Sequence, residues 1–212
     1  MSNRKRIINR EISWLNFNER VLQEAMDVNN PIIERLKFLG IFSNNRDEFF
    51  RVRVASIKRL ARIQNKKGKK VKINATSILR QIDAKVEAQE THYNQTFDRI
   101  VEELKEHGII FLDEKQLNDK QGGFVQDYFK TKVIPYLFPI MLKNIVNSDA
   151  LQDNATYLAV YLTDSSKKKD DDYALIMVPS DIISRFIIIP SENNTSYIIM
   201  LDDVMRYCMG EI

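Results

Sequence analysis

Residues 31–62 read PIIERLKFLGIFSNNRDEFFRVRVASIKRLAR, and their hydrophobic pattern decides how the first half of the chain folds. Apolar residues recur every three or four positions on both sides of a polar run, which is typical of amphipathic helices. The two apolar stripes consist of Ile32, Leu36, Leu39 and Phe42, and of Phe50, Val54, Ile57 and Ala61. The polar run at 43–47 predicts an elbow between two helices, with Asp47 as the N-cap of the second.

Two neighbouring asparagines, Asn44 and Asn45, lie in this predicted elbow. One interpretation is structural, because asparagine tolerates the left-handed conformation and often ends one helix or caps the next. The other is functional, because a carboxamide carries both donors and an acceptor and can pair with the edge of a nucleobase. The residue types and their spacing leave both interpretations open.

The second predicted helix also carries a basic ridge. Arg51, Lys58 and Arg62 follow at i, i+7 and i+11, which places them along one face of an α-helix. Residues 1–70 hold 17 Lys and Arg against 7 Asp and Glu, whereas the whole chain has a net charge of only +3. This asymmetry predicts attraction of polyanions to the first third of the chain, the alternative being a solvated basic face.

The composition places the chain in a broad class. Of its 212 residues, 44% are hydrophobic and 29% are charged, which is ordinary for a soluble globular protein. It contains no run of about 18 apolar residues, so no membrane span is predicted. The basic start lacks the apolar core of a signal peptide, so a cytoplasmic location is the default expectation. The single cysteine, Cys208, excludes an internal disulfide and a cysteine-based metal site.

The rest of the first half of the chain shows the same helical periodicity. A helix over about 13–27 is predicted with Trp14, Phe17, Val21 and Ala25 on its buried face. A long helix over about 75–106 follows, its apolar stripe interrupted by Gln89, and His107 and Gly108 provide a stop signal. Four helices before Gly108 predict an antiparallel bundle as a first domain over 1–108.

After Gly108 the period changes. Short runs rich in β-branched and aromatic residues predict strands over about 109–112, 157–162, 173–178, 186–189 and 197–201. Helices are predicted over 121–134 and from 202 onward. This succession predicts a mainly antiparallel sheet with covering helices, and therefore an α+β chain of two domains. The second domain, 109–212, is expected to be incomplete at its C-terminal end.

The residues themselves predict no catalytic centre. The chain lacks the phosphate-binding loop GxxxxGK[ST], the dinucleotide fingerprint GxGxxG and the zinc motif HExxH. Its two histidines, His92 and His107, are interpreted as a helix-surface residue and a helix terminator. Asp47 and Glu48 are adjacent, and neighbouring helical side chains point in different directions instead of forming an acid/base pair.

Several segments, however, closely resemble the first family of bacterial polyphosphate kinases. The longest are ISWLNFNERVLQEA at 12–25 and ERLKFLGIFSNNRDEFFRVR at 34–53. The resemblance continues through YLAV at 157–160, VPSD at 178–181, RF at 185–186 and LDDVMRYC at 201–208. One departure stands beside Asn45, where the chain has Arg46 in place of an apolar residue.

The resemblance implies a function. Members of this family reversibly transfer the terminal phosphate of ATP to polyphosphate through a phosphohistidine, with Mg²⁺, and they form homodimers or higher homo-oligomers. Their histidines and metal-binding residues lie in C-terminal domains without a counterpart here, so the 212-residue chain alone is expected to be inactive. Asn45 matches the asparagine that contacts the adenine base. The first domain would then contact ATP, and the second would be part of the protruding head domain that supports dimerisation.

The resemblance leaves other points as hypotheses. That Arg51, Lys58 and Arg62 contact the phosphates of ATP or polyphosphate is inferred from their charge and not from the family. The full-length protein is expected to be cytoplasmic, with membrane association through its complex. Two alternatives stay open: a polyanion or nucleic-acid binding module without catalysis, and a pure assembly module. Against the nucleic-acid alternative, the aromatic residues fall on apolar stripes instead of alternating with basic ones.

Overall fold

The computed structural model of the protein describes residues 9–67, 74–145, 151–163, 172–191 and 194–212. The chain divides into two compact units, Met1–His107 and Gly108–Ile212. The first unit is helical, whereas the second combines helices with two small sheets. The predicted α+β class, with a helical bundle followed by a mainly antiparallel β region, is confirmed.

The helices of the first unit pack through apolar stripes. Their bounds are α1 Arg10–Met26, α2 Ile32–Glu48, a π-helical segment Phe49–Val54, α3 Ala55–Lys67 and α4 Ala75–Glu106. Helix α4 matches its predicted range, because it has the long regular stripe, an Asn74 side chain that accepts the Ser77 N–H at its start, and a His107 cap at its end. Side chains of α1, the π-helical segment and α4 form one core cluster that includes Leu15, Phe49 and Ile82.

The predicted elbow at 43–47 is wrong. Helix α2 continues through these residues to Glu48, and the chain passes into the π-helical segment with Phe49 still in the right-handed helical conformation. Asp47 therefore lies inside a helix and is not an N-cap. Phe49 and Val54, five residues apart, are both buried. An i→i+5 turn brings such residues to the same side, so the wider turn keeps both halves of the helix on the core.

The buried face of α1 is also rotated relative to the prediction. Leu15, Asn18, Leu22 and Ala25 are the buried residues, whereas Phe17 is 52% exposed. Trp14 is partly buried and stacks on Phe49 with 4.7 Å between ring centroids, as expected of a core anchor. The predicted face included Phe17 and Val21, whereas α1 buries Leu15, Leu22 and the polar Asn18.

The second unit contains two three-stranded sheets. Its strands are β1 Ile109–Leu112, β2 Ile140–Met141, β3 Tyr157–Leu162, β4 Asp172–Met177, β5 Phe186–Ile189 and β6 Ser196–Met200. One sheet has the order β1-β6-β5, with β1 parallel and β5 antiparallel to β6. The other has the antiparallel order β2-β4-β3. Gly108, with φ of 74°, accepts the Ser196 N–H at 2.7 Å and so starts the β1–β6 pairing.

Helices cover these sheets. The described helices include α5 Asp119–Tyr128, continued by a π-helical turn Phe129–Val133, and α6 Leu201–Tyr207. Helix α5 begins with a capping box in which Asn118 and Gln121 exchange hydrogen bonds with each other's backbone N–H. Val125 and Phe129 join Ile187, Ile199 and Val204 in a buried core. The predicted helix over 121–134 is thus present, with a wider final turn.

Candidate functional site

Asn45 lies near the C-terminal end of α2, on the side that faces α1. Its side chain is half-buried, and its Nδ2 donates a hydrogen bond to Oδ1 of Asn18 at 3.0 Å. Its neighbour Asn44 is exposed. Because the helix runs on without a break, neither asparagine ends or caps it, and the structural interpretation of the pair as an elbow no longer applies.

Asn18 anchors this contact from the interior. It is fully buried, and its Nδ2 donates to the backbone oxygen of Phe42 at 3.1 Å. A buried carboxamide is stable only when its polar atoms are hydrogen-bonded, and these two contacts use a donor and the acceptor. A chain of hydrogen bonds therefore runs from the Phe42 carbonyl through Asn18 to Asn45. Sequence reasoning missed Asn18, because the predicted buried face of this helix consisted of apolar residues and did not include it.

Arg46, the departure from the family pattern, turns away from Asn45. Its guanidinium forms an ion pair with Glu90 on α4. The same group lies 5.7 Å from the ring centroids of both Phe42 and Tyr93, a distance at which cation–π attraction acts. The added positive charge is thus neutralised and held against α4.

The three predicted phosphate contacts are all exposed, but they are not equivalent. Arg51 lies in the π-helical segment and pairs with Glu48, whose hydrogen bond and charge raise the pKa of the guanidinium. Lys58 and Arg62 lie one turn apart on α3 and have no ion pair with an acidic residue in the described parts of the chain. The predicted alignment assumed one α-helix, and the π-helical segment takes Arg51 out of that repeat.

A separate cavity of about 360 Å³ lies beside the π-helical segment. It is lined by Glu11, Val52, Arg53, Ser56, Ile57 and Leu60. Glu11 and Arg53 face each other there with 3.8 Å between Oε2 and a guanidinium nitrogen. None of the predicted site residues lines this cavity.

The second unit has two titratable groups whose pKa is shifted by burial. Burial, together with the charge of the neighbouring Asp202, raises the pKa of Asp203 to about 6, while the charge of Arg206 opposes the shift. Burial also raises the pKa of the Cys208 thiol to about 11. Cys208 is therefore a protonated core residue at neutral pH and not a thiolate nucleophile.

In the ranges that the structure describes, no group of three or more His, Cys, Asp or Glu side chains is arranged to hold a metal ion. No helix in those ranges combines the length and apolar character needed to cross a bilayer. His92 is exposed on α4, and His107 is the exposed cap at its end, as predicted.

Comparison with known proteins tests the resemblance. Residues 7–112 match the family model of the polyphosphate kinase N-terminal domain, and residues 120–212 match that of the polyphosphate kinase middle domain. Polyphosphate kinases of Vibrio parahaemolyticus and Escherichia coli K12 are 37% and 36% identical over the whole of this chain. The chain spans only 30% of the length of either relative.

A solved structure agrees. The crystal structure of polyphosphate kinase from Porphyromonas gingivalis superposes with a TM-score of 0.84 and 31% identity, covering 96% of this chain and 30% of that one. The two family models together account for most of the sequence, and they follow one another in chain order. The resemblance found in the sequence is confirmed, and the chain belongs to the polyphosphate kinase family.

Proposed function

We propose that this chain is the N-terminal part of an enzyme that reversibly transfers the terminal phosphate of ATP to polyphosphate, and that its helical unit contacts the adenine base through Asn45. The observation that carries the proposal is the hydrogen-bonded Asn45 carboxamide, half-buried on α2 and held by Asn18. A side chain held in this way is preorganised, so little conformational entropy is lost when it binds a base.

The division of labour follows from the chemistry of phosphoryl transfer. Such reactions depend on positioning the nucleotide and on positive charge around the transferred group, more than on covalent chemistry by each domain. In this proposal the helical unit positions the base, and the phosphohistidine and Mg²⁺ belong to parts of the enzyme outside these residues. His92 and His107 serve α4 and take no part. The second unit belongs to the head domain and supports assembly as a homodimer or higher oligomer in the cytoplasm, including at the membrane.

The polyphosphate side of the proposal concerns the exposed cations of α3. Lys58 and Arg62 are the predicted basic residues with no acidic partner among the described side chains, so their charge is available to a polyanion. Arg51 is less available because Glu48 already pairs with it. Phe42 and Phe49 are buried and offer no stacking surface to single-stranded nucleic acid. Phe17 is 52% exposed, but the Arg20 guanidinium lies over its ring at 5.3 Å from the centroid. This arrangement favours a phosphate polymer over the nucleic-acid alternative.

Replacing Asn45 by alanine in the native-length protein is expected to weaken ATP binding about tenfold, the equivalent of one hydrogen bond of ~1.4 kcal/mol. Isothermal titration calorimetry with ATP measures this effect. The matched control is Asn44→Ala, because Asn44 is the exposed neighbour and should bind ATP as the unmodified protein does. Equal ATP affinity in both variants would rule out the adenine contact at Asn45.

Reversing the charges of Lys58 and Arg62 to glutamate is expected to weaken polyphosphate binding and to flatten its salt dependence. Each lost cation–phosphate contact should lower the slope of log affinity against log salt by about 1. Binding measured between low and physiological salt tests this, with Lys105→Glu on α4 as the control, since Lys105 is already paired with Glu102. If the double variant Lys58→Glu/Arg62→Glu and the control show the same slope of log affinity against log salt, α3 is not the polyphosphate contact.

A further inference from the structure

The backbone carbonyl of Phe42 fixes the orientation of the Asn45 carboxamide, because Asn18 links the two by hydrogen bonds. The oxygen of Phe42 can only accept, so the atom of Asn18 that lies 3.1 Å from it must be the donor Nδ2. The other polar atom of Asn18, Oδ1, can only accept. The Asn45 atom 3.0 Å from that oxygen must therefore be Nδ2.

The amide nitrogen of Asn45 therefore faces Asn18, and its carbonyl oxygen Oδ1 remains available as an acceptor. Among the described residues, no donor within hydrogen-bond distance of this Oδ1 is found, whereas one of the two Nδ2 protons is donated to Asn18. Flipping the Asn45 amide would place its oxygen against Oδ1 of Asn18. Asn18 cannot flip in response, because its own oxygen would then face the Phe42 carbonyl. Burial of Asn18 removes water as a substitute partner, which makes either flip costly.

We infer that Asn18 is a positioning residue that holds Asn45 as a hydrogen-bond acceptor, and that the nucleotide site thereby selects a 6-aminopurine over a 6-oxopurine. The amino group of adenine donates a hydrogen bond to such an acceptor, whereas the 6-oxo group of hypoxanthine or guanine, held in the same position as that amino group, would set oxygen against oxygen. This inference rests on the proposed contact between Asn45 and the base. In this mechanism the Phe42 carbonyl sets the base preference through Asn18 and Asn45 without contacting the nucleotide itself.

A second buried carboxamide provides a control that separates a positioning role of Asn18 from a merely structural one. Gln89 is a second fully buried carboxamide, and its Nε2 donates to the backbone oxygen of Leu15 at 2.9 Å, so it also ties a helix to α1. Gln89 has no hydrogen bond to Asn45. Loss of Gln89 should therefore reduce stability through the same kind of contact without releasing Asn45.

The experiment measures ATP and ITP binding to the native-length protein, because ITP carries a 6-oxo group in place of the 6-amino group and lacks the 2-amino group of GTP. The unmodified protein and Gln89→Leu are expected to bind ATP about tenfold more tightly than ITP, the effect of one matched hydrogen bond. In Asn18→Leu the Asn45 amide can rotate, and the ratio should fall to about one.

The outcomes separate the inference from the function on which it rests. An unchanged ATP:ITP ratio in Asn18→Leu, together with weakened ATP binding in Asn45→Ala, would overturn the positioning role and leave the adenine contact standing. Full ATP affinity in Asn45→Ala would overturn both. If Asn18→Leu fails to fold, NMR of the unmodified protein decides: one Asn45 amide proton should exchange slowly with water and show a contact to Asn18, and a rapidly exchanging, rotating amide would refute the inference.

Discussion

Replacing Glu103 by leucine is expected to lower the free energy of unfolding of the helical unit by about 3 kcal/mol, because it leaves a buried charge without its partner. The guanidinium of Arg35, whose side chain is only 3% exposed, forms an ion pair with Glu103 at 2.6 Å. Its Nε also donates to the backbone oxygen of Ala25 at 2.9 Å, in the last turn of α1. Arg35 on α2 thus joins α1 to α4, and among the described residues its charge is paired with a single carboxylate, that of Glu103.

The adjacent residue provides the control for this prediction. Glu102 pairs with Lys105 on the same helix, and its side chain is 70% exposed, so Glu102→Leu should change stability by less than about 1 kcal/mol. Urea unfolding followed by fluorescence suits both variants, because the only tryptophan, Trp14, lies in the helical unit. Similar losses in the two variants would mean that the Arg35–Glu103 pair has no special weight.

Truncating Phe49 to alanine is expected to cost about 4 kcal/mol, within the range for a fully buried phenylalanine. Phe49 is 1% exposed and stacks on Trp14, so the truncation opens a cavity and removes an aromatic contact at once. The emission of Trp14 should change in the native state as well, since its stacking partner is lost. The prediction is measured by the same unfolding experiment.

Val52 is the control within the same π-helical segment. It is exposed, so Val52→Ala should leave both the emission of Trp14 and the unfolding midpoint nearly unchanged. A loss below about 1 kcal/mol in Phe49→Ala would indicate that the segment does not hold Phe49 against α1 in solution. The comparison therefore tests the π-helical turn itself, because that turn brings Phe49 and Val54 to one side.

Much of the architecture could be predicted from local signals. Helix α4 has a long periodic stripe and clear signals at both ends, and strands β1 and β5 are short apolar runs with the same bounds as predicted. Gly108 adopts the left-handed conformation expected past the end of α4. These features depend on residues close in sequence, which is why sequence reasoning could find them.

The errors share a different cause. At 43–47 the polar residues resembled an elbow, but two of them have partners on other helices: Asn45 bonds to Asn18 on α1, and Arg46 pairs with Glu90 on α4. The same holds for Asn18, whose burial depends on a carbonyl 24 residues away. Polar residues predict an exposed loop only when their side chains interact with water, and those of Asn45, Arg46 and Asn18 interact with distant helices instead.

The sequence by itself determined the class of the protein and the bounds of its most regular elements. Its long matching segments also identified the family and pointed to Asn45 as a candidate base contact. Only the tertiary structure decided how Asn45 is held, which way its amide points and which cations of the basic ridge remain without an acidic partner among the described residues. The physical reason is that periodicity and capping are local properties of a chain. The orientation of an amide is set by donors and acceptors that only folding brings within 3 Å.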